Sequence, residues 1–113
     1  MRFISIWKPA KVAAPTPELI EKMGKLVQEG MKEGWLIATD GVQAGTRGMR
    51  VQSAGGKVTV TDGPFTEAKE LIGGYALMQA KSREEMLELT KRFLAMAGDG
   101  ECHIEQLYEQ PPG

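Results

Sequence analysis

The chain has 113 residues, 42% hydrophobic and 26% charged, with a formal net charge of −1. That length fits one domain with a modest core, and the charge balance excludes the basic footprint of a nucleic-acid binder. A single cysteine, Cys102, excludes an internal disulfide and points to a reducing, cytosolic compartment.

The opening MRFISIWKP is too short for a signal-peptide core, and no apolar run reaches the length of a membrane helix. Residues 2–7, RFISIW, alternate and are rich in β-formers, which predicts a strand. Pro9, Pro15 and Pro17 punctuate the loop that follows. Thr16 then stands as a helix N-cap, with Pro17 at the first helical position and Glu18 in the first turn. Leu19, Ile20, Met23, Leu26, Val27 and Met31 recur at helical spacing, and Gly34 is the stop. WLIAT, residues 35–39, is a second strand.

The stretch 41–48 is a glycine-rich loop. No Gly-Lys-Ser/Thr follows, so it is not a phosphate loop. GMRVQS and KVTVT flank Ala54-Gly55-Gly56 and predict a hairpin. Residues 75–80 form another strand. Ser82 with Glu85 makes a capping box, and Met86, Leu89, Phe93 and Met96 mark a helix face that Gly98 ends. A last strand runs over 102–109, and the PPG tail is expected to be loose.

The element order predicts an α+β, ferredoxin-like βαββαβ fold with an extra hairpin, as one domain over residues 1–113. Helices then cover one sheet face only. Yet Phe3 and Trp7 share one side of the first strand, and Ile4 and Ile6 the other. Tyr75 with Leu77, and Ala76 with Met78, repeat the pattern. Both faces want cover, which predicts a homodimer, sheet against sheet, with a ligand pocket between sheet and partner.

The most unusual stretch is TDGPFTEAKELIGGY, residues 61–75. Asp at a turn commonly accepts from the N–H two residues on. Here that residue is Pro64, which has none. Asp62 therefore caps at Phe65 or Thr66, or turns to another partner, the solvent or a ligand. Gly63 permits a close, Cβ-free approach. Thr66 is placed to cap a short turn, TEAKE, in which Glu67 and Glu70 share a side. Such a carboxylate pair suits acid–base chemistry, and equally a solvated face. His103 is the only histidine; with Asp62 or Asp40 it would form a dyad. Cys102 and His103 point to opposite sheet faces, and no metal spacing or cofactor motif occurs elsewhere.

DGPFTEAKELIGGY closely resembles the signature of YCII-related proteins that carry a DGPF motif. The likeness extends over the first strand, the GWL strand, VTVTDGPF and GGYALMQAKSREE, in the family's order. It implies a dimeric α+β barrel of ferredoxin-like halves, akin in fold to muconolactone isomerase, with a pocket between sheet and helices near the dimer interface. Shorter members carry a His-Asp pair proposed as catalytic, with the histidine in the first helix. This first helix has none, and His103-Ile104-Glu105 stands where many members carry Glu-x-Arg.

The resulting expectation is a cytosolic homodimer binding a small polar or aromatic metabolite. A cofactor-free isomerase or lyase step would use Asp62 and then His103 as catalytic candidates. Asp62, Gly63, Pro64, Phe65, Trp7, Glu67 and Tyr75 form the candidate ligand-binding set. The alternative is a non-catalytic accessory module for a protein partner. The resemblance points there to an extracytoplasmic-function sigma factor.

Overall fold

The computed structural model describes residues 1–43, 47–64 and 71–109. Its elements are β1 (Arg2–Pro9), α1 (Pro17–Glu33), β2 (Leu36–Gly41), β3 (Met49–Ala54), β4 (Lys57–Asp62), β5 (Gly74–Gln79), α2 (Arg83–Ala97) and β6 (Gly100–Gln106). Four strands make an antiparallel sheet in the order β2-β5-β1-β6, while β3 and β4 form a separate two-stranded sheet. The fold is therefore α+β and ferredoxin-like, and the extra hairpin stands apart from the main sheet.

Helix ends follow the local chemistry. The Thr16 hydroxyl accepts from the Leu19 N–H at 3.1 Å, and Gly34 closes α1 in the left-handed region at φ 87°. Ser82 accepts from the Glu85 N–H at 3.1 Å and starts α2. These contacts satisfy backbone groups that a helix terminus leaves without partners. In the hairpin, Gly55 and Gly56 both take positive φ, 58° and 79°, as a two-residue turn matched to strand twist requires.

The core lies between the sheet and the helices. Phe3, Leu36, Met78, Ala80 and Met86 are buried together, with Val27, Leu89 and Ile104 packed against them. Strand parity accounts for the choice: Phe3, Ser5 and Trp7 share the helix-covered side with Ala76 and Met78. Ile4, Ile6, Leu77 and Ala38 lie on the opposite side, where no helix sits, and are only half-buried. Gly30 lets α1 approach β2. A Cβ there would stand 2.8 Å from the Trp35 ring and 2.9 Å from the Leu36 Cβ. Across the helices, Arg92 pairs with Glu29 and lies 5.9 Å over the Trp35 ring.

Several boundaries and burials differ from expectation. The last strand runs from Gly100 to Gln106 rather than over 102–109, because Pro9 pairs back to Gly100 and extends the ladder N-terminally. The second strand starts at Leu36; Trp35 precedes it, its ring packed beside Gly30 and its indole N–H donating to Glu33. The α1 stripe is incompletely covered: Leu26 is buried, but Ile20 and Met31 are 58% and 50% exposed. The helix touches the sheet chiefly near Gly30 and leaves a gap toward its N-terminal half. The PPG tail and the TEAKE turn fall largely or wholly outside the described residues.

Candidate functional site

That gap is a cleft of about 1060 Å³ between the helix-covered sheet face and the two helices. Its volume is at the upper end of the range for small-molecule sites. Met23 and Val27 of α1 form one wall, Leu89 and Phe93 of α2 another, and Trp7, Ala76 and Met78 the sheet floor. Trp7 meets Phe93 edge to face, with centroids 5.2 Å apart at 84°. This geometry is favoured between aromatic rings. Trp7 fits because two nearby glycines lack side chains. A Cβ on Gly73 would lie 2.8 Å from the indole, and one on Gly100 would lie 2.4 Å from it.

Few polar groups enter this apolar space, and most are engaged. The Thr39 hydroxyl donates to the Tyr75 carbonyl at 2.7 Å, and the Thr90 hydroxyl to the Met86 carbonyl at 2.8 Å. Their oxygens retain acceptor capacity toward a ligand. Ser5 is buried and hydrogen-bonds Cys102, whose half-buried side chain also lines the cleft. Among the described lining residues Asp40 is the one carboxylate. It ends β2 at the edge of the cleft and is exposed; by strand parity its carboxylate is on the helix-free side, where it accepts from the Tyr75 hydroxyl at 3.3 Å.

Burial pushes the Cys102 thiol above its ordinary value of 9.0; the Ser5 hydrogen bond opposes this and Glu101 adds to it. The neutral thiol is thus the favoured form, and Cys102 is expected to be a slow nucleophile. Its pKa is raised on folding, so its contribution to stability is fully present below 9.0 and is lost as pH rises toward and through the folded value. Alkylation by iodoacetamide at pH 8 should run several-fold slower than for an unfolded control, with the gap closing above that pH. Equal rates at pH 8 would show that the thiol is not protected.

The structure scatters the residues that the sequence singled out. Trp7 and Tyr75 line the cleft; Asp62, Gly63, Pro64 and His103 are not among its described lining residues. Tyr75 sends its ring to the helix-free side by strand parity, where its hydroxyl meets Asp40. Asp62 ends β4, exposed, across from Met49, and Gly63 precedes Pro64 in a cis peptide bond. Phe65 and Glu67 lie outside the described residues. His103 is on the helix-free face of β6, 3.4 Å from Glu105.

Asp40, Tyr75, Ile6 and His103 form one row across the sheet. Three strand spacings, roughly 14 Å, therefore separate His103 from Asp40, too far for a dyad. Asp62 and His103 lie on strands of different sheets. The cleft also lies on the helix-covered side, not on the bare side where the two-faced sheet alone placed a pocket. Sequence reading gave Asp40 only a secondary place, as a possible partner for His103. Its signal was position: it follows WLIAT at the end of a strand that borders the open part of the fold.

Among the described residues no helix is long and apolar enough to cross a membrane, and no three His, Cys, Asp or Glu side chains gather as a metal site would need. No curated protein matches the chain. A solved structure of 5-chloro-2-hydroxyhydroquinone dehydrochlorinase from Burkholderia phenoliruptrix AC1100, in complex with 2,5-dihydroxybenzoquinone, is similar with a TM-score of 0.47 at 15% identity, over 97% of this chain and 96% of that one. The model of the YCII-related domain matches residues 1–101, nearly the whole length from the first strand into the last, and the chain belongs to that family.

Proposed function

We propose that this protein binds a small, largely apolar or aromatic metabolite in the cleft between sheet and helices. The cleft itself carries the reading: about 1060 Å³ of apolar-walled space with an aromatic pair on one side. Trp7 and Phe93 offer ring faces and edges to a planar ligand. The Thr39 and Thr90 hydroxyl oxygens, each donating to a backbone carbonyl, are placed to accept from a hydroxyl or amine of the ligand. In this reading neither Asp62 nor His103 meets the ligand, since neither is among the described residues that line the cleft.

The working form in this proposal is a cytosolic homodimer joined through the helix-free sheet face. Its Ile4, Ile6 and Leu77 want cover. The accessory reading, with a sigma factor as partner, has one observation in its favour: the exposed apolar side of the β3–β4 hairpin.

Native mass spectrometry on protein purified gently from its host tests the ligand. A small adduct is expected, and its mass gives the compound used next. Trp7→Leu should then weaken that compound about tenfold, equivalent to ~1.4 kcal/mol. Phe93→Leu should weaken it by a similar factor. A bare protein that binds no compound from host extracts, by Trp fluorescence or mass, would overturn the proposal.

A further inference from the structure

Three glycines lie in α1 or directly after it, and two of them have a visible reason. Gly30 admits the Trp35 ring and Leu36, and Gly34 takes the left-handed conformation that ends the helix. Gly24 has neither. It stands in the helix interior without a positive φ, and a Cβ there would meet nothing within 4 Å among the described residues. A glycine in such a place weakens a helix relative to alanine, because its backbone gives up the most freedom on folding. Gly24 therefore costs α1 stability without serving a contact among the described residues.

Its place on the helix supplies the missing reason. On the surface of α1, Gly24 adjoins Ile20 and Val27, one turn to either side. Both line the cleft, as do Gly24 itself and Met23 beside it. The missing side chain leaves a notch with bare backbone at its base and apolar groups at its ends. Glu21 and Gln28, the other helix neighbours of Gly24, are exposed and are not among the described lining residues, so the notch marks where the cleft opens to solvent. Ile20 is 58% exposed although it lines the cleft, and an apolar wall left that open gains from being covered.

We propose that Gly24 is a specificity position: the notch at its missing side chain receives the edge of an aromatic ring of the ligand, seated against the α1 backbone between Ile20 and Val27.

The chemistry of the notch favours this occupant. Along a helix interior the backbone N–H and carbonyl groups are paired with one another, so the base of the notch offers no free polar partner. A charged or strongly polar group would lose water there without compensation. A flat apolar edge enters a slot one side chain wide more deeply than a branched aliphatic group does. The inference rests on the reading of the cleft as a ligand site, and adds where the ligand lies and what shape it presents to α1.

The test uses N-phenylnaphthylamine, a neutral aromatic probe whose fluorescence rises in apolar surroundings. Wild-type protein should bind it, and Phe93→Leu should weaken it, which places the probe in the cleft. Gly24→Ala should raise the thermal midpoint by about 2–8 °C through helix propensity and weaken the probe about fivefold through crowding. Gly24→Met, with another good helix former, should keep or raise the midpoint and weaken the probe by about tenfold or more. A gain in stability joined to a loss of binding that grows with side-chain size is a signature that a structural role alone does not give. Variants that gain stability and bind the probe as tightly as wild type would make Gly24 an ordinary surface glycine; the notch is then overturned while the cleft stands. A lowered midpoint in Gly24→Ala would show that the glycine serves a contact within the protein, and overturns the notch as well. A wild type that does not bind the probe, or binding that Phe93→Leu leaves unchanged, overturns the cleft reading and the notch together.

Discussion

Met86→Ala should remove ~2–5 kcal/mol of unfolding free energy, the usual cost of emptying a buried methionine site. Met86 is 2% exposed and sits where α2 meets Phe3, Leu36, Met78 and Ala80. Its backbone N–H and carbonyl are both fixed, the first to Ser82 and the second to the Thr90 hydroxyl at 2.8 Å. Both bonds lie within α2 and its cap and hold the helix's own geometry, so filling the void would require α2 to move as a unit. For a domain of this size the thermal midpoint should fall on the order of 10–30 °C. Differential scanning calorimetry reads this directly. A loss below ~1 kcal/mol would mean that the core collapses around the site.

The second large effect is expected from Gly100→Ala, a change of one methyl group on an exposed residue. Position 100 has φ 156°, and its Cβ would stand 2.6 Å from the Lys8 carbonyl oxygen and 2.4 Å from the Trp7 ring. A backbone oxygen cannot step aside as a flexible side chain can. Either the β1–β6 ladder shifts at its Pro9–Gly100 end, or the indole swings off Phe93. The first costs stability; the second distorts the floor of the cleft. We expect both, read as a lower melting temperature together with an altered near-UV signal from Trp7. A variant with wild-type stability and an unchanged aromatic spectrum would show that this end of the sheet yields freely.

Much of the fold was legible in the residues. Thr16-Pro17-Glu18 and Ser82 with Glu85 mark helix starts that depend only on local hydrogen bonding, and both hold. Gly34 and Gly55-Gly56 mark backbone conformations that side chains rarely adopt, and all three have positive φ. Alternation in β1 and β5 predicts a two-faced sheet because side-chain direction in a strand is fixed by parity.

The site was less legible for a physical reason. A cleft is a property of how far α1 stands from the sheet, and the helical spacing of Ile20 and Met31 is the same whether they are covered or not. Asp62 drew notice through the chemistry of its immediate neighbours, yet the fold sends it out along the hairpin. Asp40 lacks any such local oddity; only the pairing of β2 with β5 brings it beside the Tyr75 hydroxyl. Gly73 and Gly100 serve as the hollows that admit Trp7.

The plate-like outline has a hydrodynamic consequence. A body 44 by 43 Å across and 20 Å thick drags more solvent than a sphere of equal mass. A single chain should therefore elute early from a sizing column and mimic a heavier species. Stacking two plates face to face thickens the particle without widening it. Friction then rises more slowly than mass, and the pair should sediment disproportionately fast for its elution volume.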